Sequence, residues 1–188
     1  MSFFGDIVPE PGERRSHRRW ERPDAAFPGV VATTIELVHA EQVAIAVAGI
    51  WAFATGFEFS VAVRLRSIDR ALTFIDAPIV TLDDGESLHD EFLRFGVQFS
   101  NGEKVTNIRG VSVRDQYSEP ARPVLSMLAA GAGRRSRDFR YWVWPLPPVG
   151  EVTFVCEWPA LHIPESRGSI DGRLILEAAA ASVQLWPE

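Results

Sequence analysis

Cysteine and lysine are almost missing from this chain of 188 residues, and each scarcity has a consequence. Because Cys156 is the only cysteine, no disulfide can form within the chain, and the sequence is compatible with a reducing cytosol. Because Lys104 is the only lysine, arginine carries nearly all the positive charge. Codon bias in a GC-rich genome explains this excess of arginine as readily as a need for bidentate anion binding.

Long apolar runs are also missing. The stretch from Val43 to Phe57 contains no charged residue but is interrupted by Gly49, and it is shorter than the about 20 apolar residues that a membrane-spanning helix needs. The first residues contain no basic segment followed by an apolar run, so we expect no secretory signal. These features predict a cytoplasmic protein without a membrane anchor.

The charge of the chain limits the partners that it can bind. A net charge of −6 argues against a sequence-independent nucleic-acid binder, which would need a basic face. Positive charge is nevertheless concentrated in the N-terminal tail and in a second cluster. The second cluster consists of Arg134, Arg135, Arg137 and Arg140.

Residues 57–66 are the most informative segment, because apolar and polar side chains alternate along them. Phe57 and Phe59 fall on one side, whereas Glu58 and Ser60 fall on the other. This period of two is typical of a strand with one buried and one solvent-facing side. The pattern therefore predicts that Glu58 lies at the surface.

Similar patterns predict further strands along the chain. They cover residues 30–39, 43–53, a short stretch within 72–82, 93–99, 103–108, 111–113, 124–128, 139–145 and 152–158. Asn101-Gly102 predicts a hairpin with a type I′ turn, whose two central residues both need a positive φ. Gly49 predicts a bulge in the strand. Beyond it, Trp51 and Phe53 are expected to lie on the same side of the strand as Val47. Residues 131–138 are expected to form a mobile exposed loop.

Together these patterns predict an all-β fold, an antiparallel β-sandwich of immunoglobulin-like or jelly-roll-like type, over residues 29–188. Residues 1–28 are expected to form an extended or partly disordered arm, with room for a docked segment from Trp20 to Phe27. Asp171 is a suitable N-cap, and the spacing of Leu174 and Ala178 is helical. We therefore predict one C-terminal helix over about residues 171–183.

Catalytic candidates are few. Cys156 and His162 could form a thiol–imidazole pair, but the alternation of residues 152–158 places Cys156 in the core, where a thiol is inert. Glu58 and Glu157 are the carboxylates to consider for glycoside hydrolysis, and both fall on a predicted solvent-facing side. No nucleotide-binding or serine-hydrolase motif is present.

One acidic segment could hold a metal ion. Glu86, His89, Asp90 and Glu91 lie close together in sequence and could bind a hard cation weakly, although a solvated loop explains them better. The turn at residues 83–86 lacks the spacing of a calcium loop. The sequence therefore predicts neither a metal site nor a cofactor.

Residues 139–145 give the best candidate for a binding surface. Arg140, Trp142 and Trp144 share one side of this predicted strand, and Arg and Trp are enriched at binding hot spots. If that side faces solvent, the three residues could contact a partner. The alternative is a central strand that is covered on both sides by the N-terminal arm or the C-terminal helix.

Four sequence phrases resemble an uncharacterised group of actinobacterial proteins. They are Gly56-Phe-Glu-Phe59, Arg94-Phe-Gly-Val-Gln-Phe-Ser-Asn-Gly102, Trp142-Val-Trp-Pro-Leu-Pro-Pro148 and Phe154-Val-Cys-Glu-Trp-Pro159. The resemblance covers roughly residues 28–187. It implies a bacterial cytoplasmic setting, and it carries no activity, cofactor or site residue to this chain.

Three functions compete at this point. The first is a non-enzymatic binding or scaffold module that recognises a protein partner, or a second copy of itself, through a sheet face with Arg140, Trp142 and Trp144. The second is a hydrolase that acts on a carbohydrate or an ester. The third is a binder of small anionic ligands that uses Arg64, Arg66 and the cluster at residues 134–140. None of the three calls for a membrane or a nucleic acid.

Overall fold

The computed structural model describes residues 18–67, 88–108 and 120–186. Within these ranges the chain forms eleven strands, one α-helix and a short 3-10 helix at Pro159–Leu161. The strands are β1 (Ala26–Phe27), β2 (Gly29–His39), β3 (Val43–Ala52), β4 (Phe57–Leu65), β5 (Arg94–Gln98), β6 (Lys104–Thr106), β7 (Val124–Ala132), β8 (Ser136–Trp144), β9 (Glu151–Trp158), β10 (Ile163–Asp171) and β11 (Val183–Gln184). The helix is α1 (Gly172–Ala180).

The strands form two main antiparallel sheets that pack face to face. One sheet has the order β2-β3-β4-β8-β7, and the other has the order β10-β9-β5-β6. The short strands β1 and β11 pair separately. Side chains of both sheets share one core, so the predicted all-β sandwich with a C-terminal helix is confirmed.

The centre of this core is aromatic. The ring of Phe59 on β4 lies 5.6 Å from the rings of Phe95 and Tyr141 and 5.1 Å from that of Phe154. Phe95 and Phe154 belong to the four-stranded sheet, whereas Phe59 and Tyr141 belong to the five-stranded one. Phe59 thus lies between the two sheets, on the side of β4 that the alternation of residues 57–66 predicts to be buried.

The predicted bulge in β3 is present, but its effect on the side chains differs from the prediction. Gly49 has a φ of 90°, and the pairing of β3 with β4 shifts between Val47 and Ile50. The inserted residue shifts the alternation of side chains by one position. Val47 and Ile50 therefore both point into the core, and Trp51 points to the outer side of the sheet. The prediction that Trp51 lies on the same side of the strand as Val47 was therefore wrong.

The predicted hairpin at Asn101-Gly102 is also present, with a different turn. The amide of Phe99 donates to the carbonyl of Glu103, and the amide of Gly102 donates to that of Phe99. Gly102 has a φ of 86°, but Asn101 does not have a positive φ. The connection is therefore a type I turn followed by a left-handed glycine, a three-residue loop rather than the type I′ turn that we predicted.

Residues 131–138 do not form a loop. Strand β7 continues to Ala132 and β8 begins at Ser136, so only a tight turn separates them. Strand β10 was not predicted at all, because its sequence has few apolar residues. It is nevertheless held by a regular ladder to β9, with a bulge near its start.

Helix α1 begins where the sequence predicts and ends earlier. The carboxylate of Asp171 accepts a hydrogen bond from the amide of Arg173, which confirms the N-cap. Beyond the helix, Val183 and Gln184 form β11 instead of continuing it. The helix packs against the start of β2, where a Cβ added to Gly29 would lie 1.8 Å from the carbonyl oxygen of Ala178.

Several predicted features lie outside the described residues. They are the strands at residues 72–82 and 111–113, the acidic turn at residues 83–86 and the first part of the N-terminal arm. In the described ranges, no helix has both the length and the apolar character that a membrane crossing requires.

Candidate functional site

A second, smaller hydrophobic cluster lies on the outer face of the five-stranded sheet. Its buried members are Phe53, Trp142 and Trp144, and we call them the aromatic face. Phe53 follows β3 directly, and the two tryptophans alternate along β8 with core residues. The rings of Phe53 and Trp142 meet edge to face, with centroids 5.7 Å apart.

The chain covers this face with its own residues 18–27, which we call the covering segment. The indole Nε1 of Trp142 donates a hydrogen bond of 2.8 Å to the backbone carbonyl of Trp20. The guanidinium of Arg22 lies 4.9 Å from the ring centroid of Phe53. Trp20 and Ala26 also pack against the cluster. The covering segment therefore makes apolar, cation–π and hydrogen-bonding contacts with the sheet.

A buried carboxylate lies beside the aromatic face. Glu58 on β4 is 0% exposed and lies between Trp51 and Trp142 on the neighbouring strands. Its Oε2 accepts a hydrogen bond of 2.7 Å from Nε of Arg22, and its Oε1 accepts one of 2.6 Å from Nε of Arg140. Nη2 of Arg140 donates to the same Oε1. The carboxylate is thus held between one guanidinium of the sheet and one of the covering segment.

The prediction that Glu58 lies at the surface was wrong. Alternation correctly gave its side of the strand, because Phe57 and Phe59 enter the core while Glu58 points away from it. It could not reveal that another part of the chain covers this outer side. A buried carboxylate is costly unless it is paired and hydrogen-bonded, and the two arginines satisfy that need.

The structure also decides between the two interpretations of residues 139–145. Trp142 is 1% exposed and Trp144 is 8% exposed, so neither faces solvent and the covered-strand alternative is confirmed. Arg140 keeps about half of its side chain exposed, and its guanidinium lies 5.6 Å from the ring centroid of Trp51. Arg140 is therefore the member of the predicted trio that reaches solvent.

The other predicted binding residues, Arg64 and Arg66, lie away from the aromatic face. Arg64 is the second-last residue of β4, and Arg66 comes directly after the end of that strand. Nη2 of Arg64 is 2.8 Å from Oδ1 of Asp138. The structure brings both arginines beside the β7–β8 turn, which carries Arg134 and Arg135. The predicted site residues are thus divided between two places on the five-stranded sheet.

Cys156 lies in the core and is shielded from solvent, as the sequence predicts. Burial raises the pKa of its thiol to about 12, so the thiol stays protonated at neutral pH. His162 is exposed on the loop before β10 and has a left-handed backbone with φ of 54°. The geometry therefore gives Cys156 no role as a nucleophile.

We expect Cys156 to resist thiol reagents in the folded chain. At pH 8 the raised pKa leaves almost no thiolate, and burial blocks access. A disulfide reagent such as DTNB should label the native protein only as fast as it unfolds, and should label it fully in urea. Because the pKa is higher in the folded state, thiol ionisation should destabilise the fold as the pH rises toward 12. Rapid stoichiometric labelling without urea would contradict the core placement.

The two carboxylates considered for hydrolysis do not meet. Glu157 lies on the outer face of the four-stranded sheet, where its Oε2 is 2.7 Å from Nη1 of Arg94. Glu58 lies on the outer face of the other sheet, and packed sheets are separated by about 10 Å. The hydrolase alternative stays a prediction, but these two residues do not form a catalytic pair.

The four-stranded sheet has a shallow groove of about 190 Å³ on its outer face, flanked by Arg94, Lys104 and Arg167. Arg94 is paired with Glu157, and Arg167 with Glu165 at 2.7 Å. These pairs leave little net charge to attract an anion. Across the described ranges, no three His, Cys, Asp or Glu side chains are grouped to hold a metal ion. Glu86 of the predicted acidic segment lies outside those ranges.

No protein-family model, curated protein or solved structure matches this chain. The resemblance to an actinobacterial group therefore stays a prediction. The site has to be interpreted from its own chemistry.

Sequence reasoning missed two residues that contact the candidate site, Trp20 and Arg22. Both belong to the predicted arm, and a docked segment from Trp20 onward was one expectation for it. The sequence contains one clue to the contact of Arg22. Glu58 is a carboxylate in the middle of a strand with apolar neighbours. Such a residue needs a cation, and the N-terminal tail is rich in arginine.

Proposed function

We propose that this protein is a non-enzymatic recognition module that binds a protein partner through the outer face of its five-stranded sheet. Arg140, Trp142 and Trp144 form the binding surface, together with Phe53 and Glu58. The observation that carries the proposal is the covering segment, a stretch of polypeptide that is already seated on this face. The single buried Cys156 supports a reducing compartment, such as the cytoplasm, as the place of action.

The contacts of the covering segment indicate what the face can recognise. The indole of Trp142 binds a backbone carbonyl, which any extended segment offers. Glu58 binds the guanidinium of Arg22, and the aromatic face packs against Trp20. A suitable partner therefore presents an aromatic residue followed two positions later by an arginine.

The burial of Glu58 favours recognition over stability as its role. A buried ion pair contributes little more to stability than a well-packed apolar side chain would, whereas it strongly disfavours an occupant that lacks the cation. Tryptophan and arginine are also the residues that most often dominate binding energy. The aromatic face and Glu58 thus combine general affinity with selection for arginine.

The covering segment competes with any partner for this face. A tethered segment acts at an effective concentration on the order of millimolar, so a partner in trans must bind tightly or act on a chain whose own segment has been weakened. A second copy of the chain carries the same Trp20 and Arg22. Exchange of covering segments between two copies is therefore one form of the proposed interaction.

The test uses the full chain with its own segment weakened by Trp20→Ala and Arg22→Ala. A fluorescent peptide of residues 18–28 should bind this variant, and should bind the wild-type chain at least about tenfold more weakly, because the tethered segment blocks the face. Fluorescence anisotropy measures both affinities. Light scattering of the variant and of the wild-type chain reports whether two copies associate.

Controls separate recognition from nonspecific sticking. The same peptide with Arg22→Ala should bind the opened variant much more weakly, because Glu58 then lacks its partner. Arg64→Ala breaks an exposed pair elsewhere on β4. This variant should bind the peptide of residues 18–28 as weakly as the wild-type chain does. Far-UV circular dichroism checks the fold, and Arg22→Ala alone replaces the double variant if that chain unfolds. The proposal fails if a folded, opened chain does not bind the peptide, or binds both peptides equally.

A further inference from the structure

The C-terminal strand is joined to the covering segment by backbone hydrogen bonds. Strand β11 pairs antiparallel with β1, which places Val183 opposite Phe27. The amide of Leu185 also donates a hydrogen bond of 2.8 Å to the carbonyl of Ala25. The two strands form a sheet of their own, separate from both main sheets. Residues 25–27, the last part of the covering segment, are thus held by the opposite end of the chain.

Strand β11 starts from a well-anchored helix. The side chains of Ile175 and Ala179 on α1 are buried in the core that both main sheets share. The hydroxyl of Ser182 donates a hydrogen bond of 2.7 Å to the carbonyl of Ala179, and the amide of Ser182 donates to the same oxygen. The chain is therefore held in place up to the residue before β11, so β11 begins at a fixed position.

The side chains of β11 contribute little to the core. Val183 is 56% exposed, Gln184 is exposed, and Trp186, which follows the strand, is 64% exposed. Among the described residues, neither hydrophobic cluster includes a member of β11. Pairing with β1 is therefore the main contact of this strand. Disrupting that pairing should leave both main sheets intact.

The pairing also sets the direction in which the covering segment leaves β2. Alternation along β1 turns Ala26 toward the aromatic face, against which it packs, whereas Phe27 is 63% exposed. Farther toward the N-terminus, Trp20 and Arg22 make the contacts with Trp142 and Glu58 described above. Strand β11 thus aligns the covering segment with the face from the start of β2 onward.

We propose that β11 acts as a latch that keeps the covering segment on the aromatic face, so that the C-terminal residues regulate access to this surface. This role rests on the proposed recognition function, because it concerns what controls the same face. Release of β11 removes backbone hydrogen bonds and leaves the contacts of Trp20 and Arg22 to hold the segment. Each backbone hydrogen bond stabilises a structure only modestly, so the latch shifts the balance between covered and open chains and does not block the face absolutely.

The exchange of the Trp142 indole N–H with water, measured by ¹H–¹⁵N NMR on the full chain, tests the latch without any partner. Exchange needs the hydrogen bond from Trp142 to Trp20 to open, so its rate reports how often the covering segment leaves the face. Leu185→Pro removes the N–H that donates to Ala25 and weakens the strand pairing. This variant should exchange about tenfold faster than the wild type, or more.

Two further variants make the test specific. Leu185→Ala is the matched control, because it keeps the backbone N–H and removes only part of a half-buried side chain, and it should change the rate by less than about threefold. Val183→Pro disrupts the same pairing from the other residue, and a proline soon after the end of a helix is commonly tolerated. It should accelerate exchange as Leu185→Pro does.

Far-UV circular dichroism checks the fold of each variant. The latch is overturned if both proline variants are folded and exchange as slowly as the wild type, or if Leu185→Ala accelerates exchange as much as Leu185→Pro. Loss of the β-sheet signal in both proline variants would also overturn it, since β11 would then be needed for the fold itself.

The fluorescent peptide of residues 18–28 separates the latch from the recognition proposal. Faster exchange in Leu185→Pro, together with tighter peptide binding than in the wild type, supports both. Faster exchange without peptide binding supports the latch and contradicts recognition. Unchanged exchange in the proline variants, while the chain with Trp20→Ala and Arg22→Ala binds the peptide, contradicts the latch alone.

Discussion

Replacing Phe59 by alanine should lower the free energy of unfolding by about 3 to 5 kcal/mol. Phe59 is fully buried, and its ring contacts aromatic rings of both sheets, including Phe95 and Phe154. The substitution removes the contact that joins the sheets and leaves a cavity that neither sheet can close alone. Urea unfolding, followed by far-UV circular dichroism, measures the change.

Phe27→Ala is the matched control for this loss. Phe27 is 63% exposed on β1, so its replacement should change the free energy of unfolding by less than about 0.5 kcal/mol. If Phe59→Ala leaves too little folded protein to measure, Phe59→Leu should show a smaller loss of about 1 kcal/mol. Similar losses for Phe59→Ala and Phe27→Ala would show that the sheets do not pack through Phe59.

Replacing Arg140 by alanine should lower the free energy of unfolding nearly as much, for an electrostatic reason. Arg140→Ala leaves the buried carboxylate of Glu58 with Arg22 alone, and breaking a buried pair in this way costs about 3 kcal/mol or more. In a chain that already carries Glu58→Gln, no charge is stranded. The same Arg140→Ala change should then cost only about 1 kcal/mol.

The double-mutant cycle isolates the interaction between these two residues. Their coupling energy should be at least about 2 kcal/mol. The exposed pair formed by Arg167 and Glu165 serves as the control cycle and should give less than about 1 kcal/mol. The two cycles share the wild-type chain, so urea unfolding of seven chains provides the values. A coupling no larger than that of the control would mean that water, not Arg140, stabilises the carboxylate of Glu58.

Strands with regular alternation could be predicted from the sequence. In β4 and β9, side chains alternate between the core and the outside, and Phe59 and Cys156 lie where the pattern placed them. The pattern fails where the backbone departs from regular geometry. After the bulge at Gly49, each residue lies on the side of the strand opposite to the one that simple alternation predicts. The sequence alone does not show whether a bulge changes the side of the following residues.

Edge strands and covered faces were not predictable in the same way. Strand β10 lies at the edge of its sheet with most of its side chains partly or fully exposed, so backbone pairing with β9 defines it rather than apolar periodicity. Glu58 was assigned to the correct side of β4, but Arg22 reaches it from 36 residues away in sequence. Alternation identifies the outer face of a strand and gives no information about what lies on that face.

The arginines show both the strength and the limit of sequence reasoning. Arg64 and Arg66 were grouped with the cluster at residues 134–140 from charge alone, and the structure brings them beside Arg135. Arg140 does not join them, because it alternates onto the covered face and pairs with Glu58. Similar charge in the sequence therefore did not distinguish a solvent-exposed cluster from a buried ion pair.

The central claim is that the aromatic face holds an extended polypeptide segment and can exchange it for another. The indole N–H signal of Trp142 in a ¹H–¹⁵N spectrum tests this claim most directly, since that group donates to the carbonyl of Trp20. We predict slow exchange with water in the wild-type chain, fast exchange after Trp20→Ala and Arg22→Ala, and recovery of slow exchange when the peptide of residues 18–28 is added. An indole N–H that exchanges rapidly in the wild-type chain, or that the peptide fails to protect in the folded variant, would contradict it.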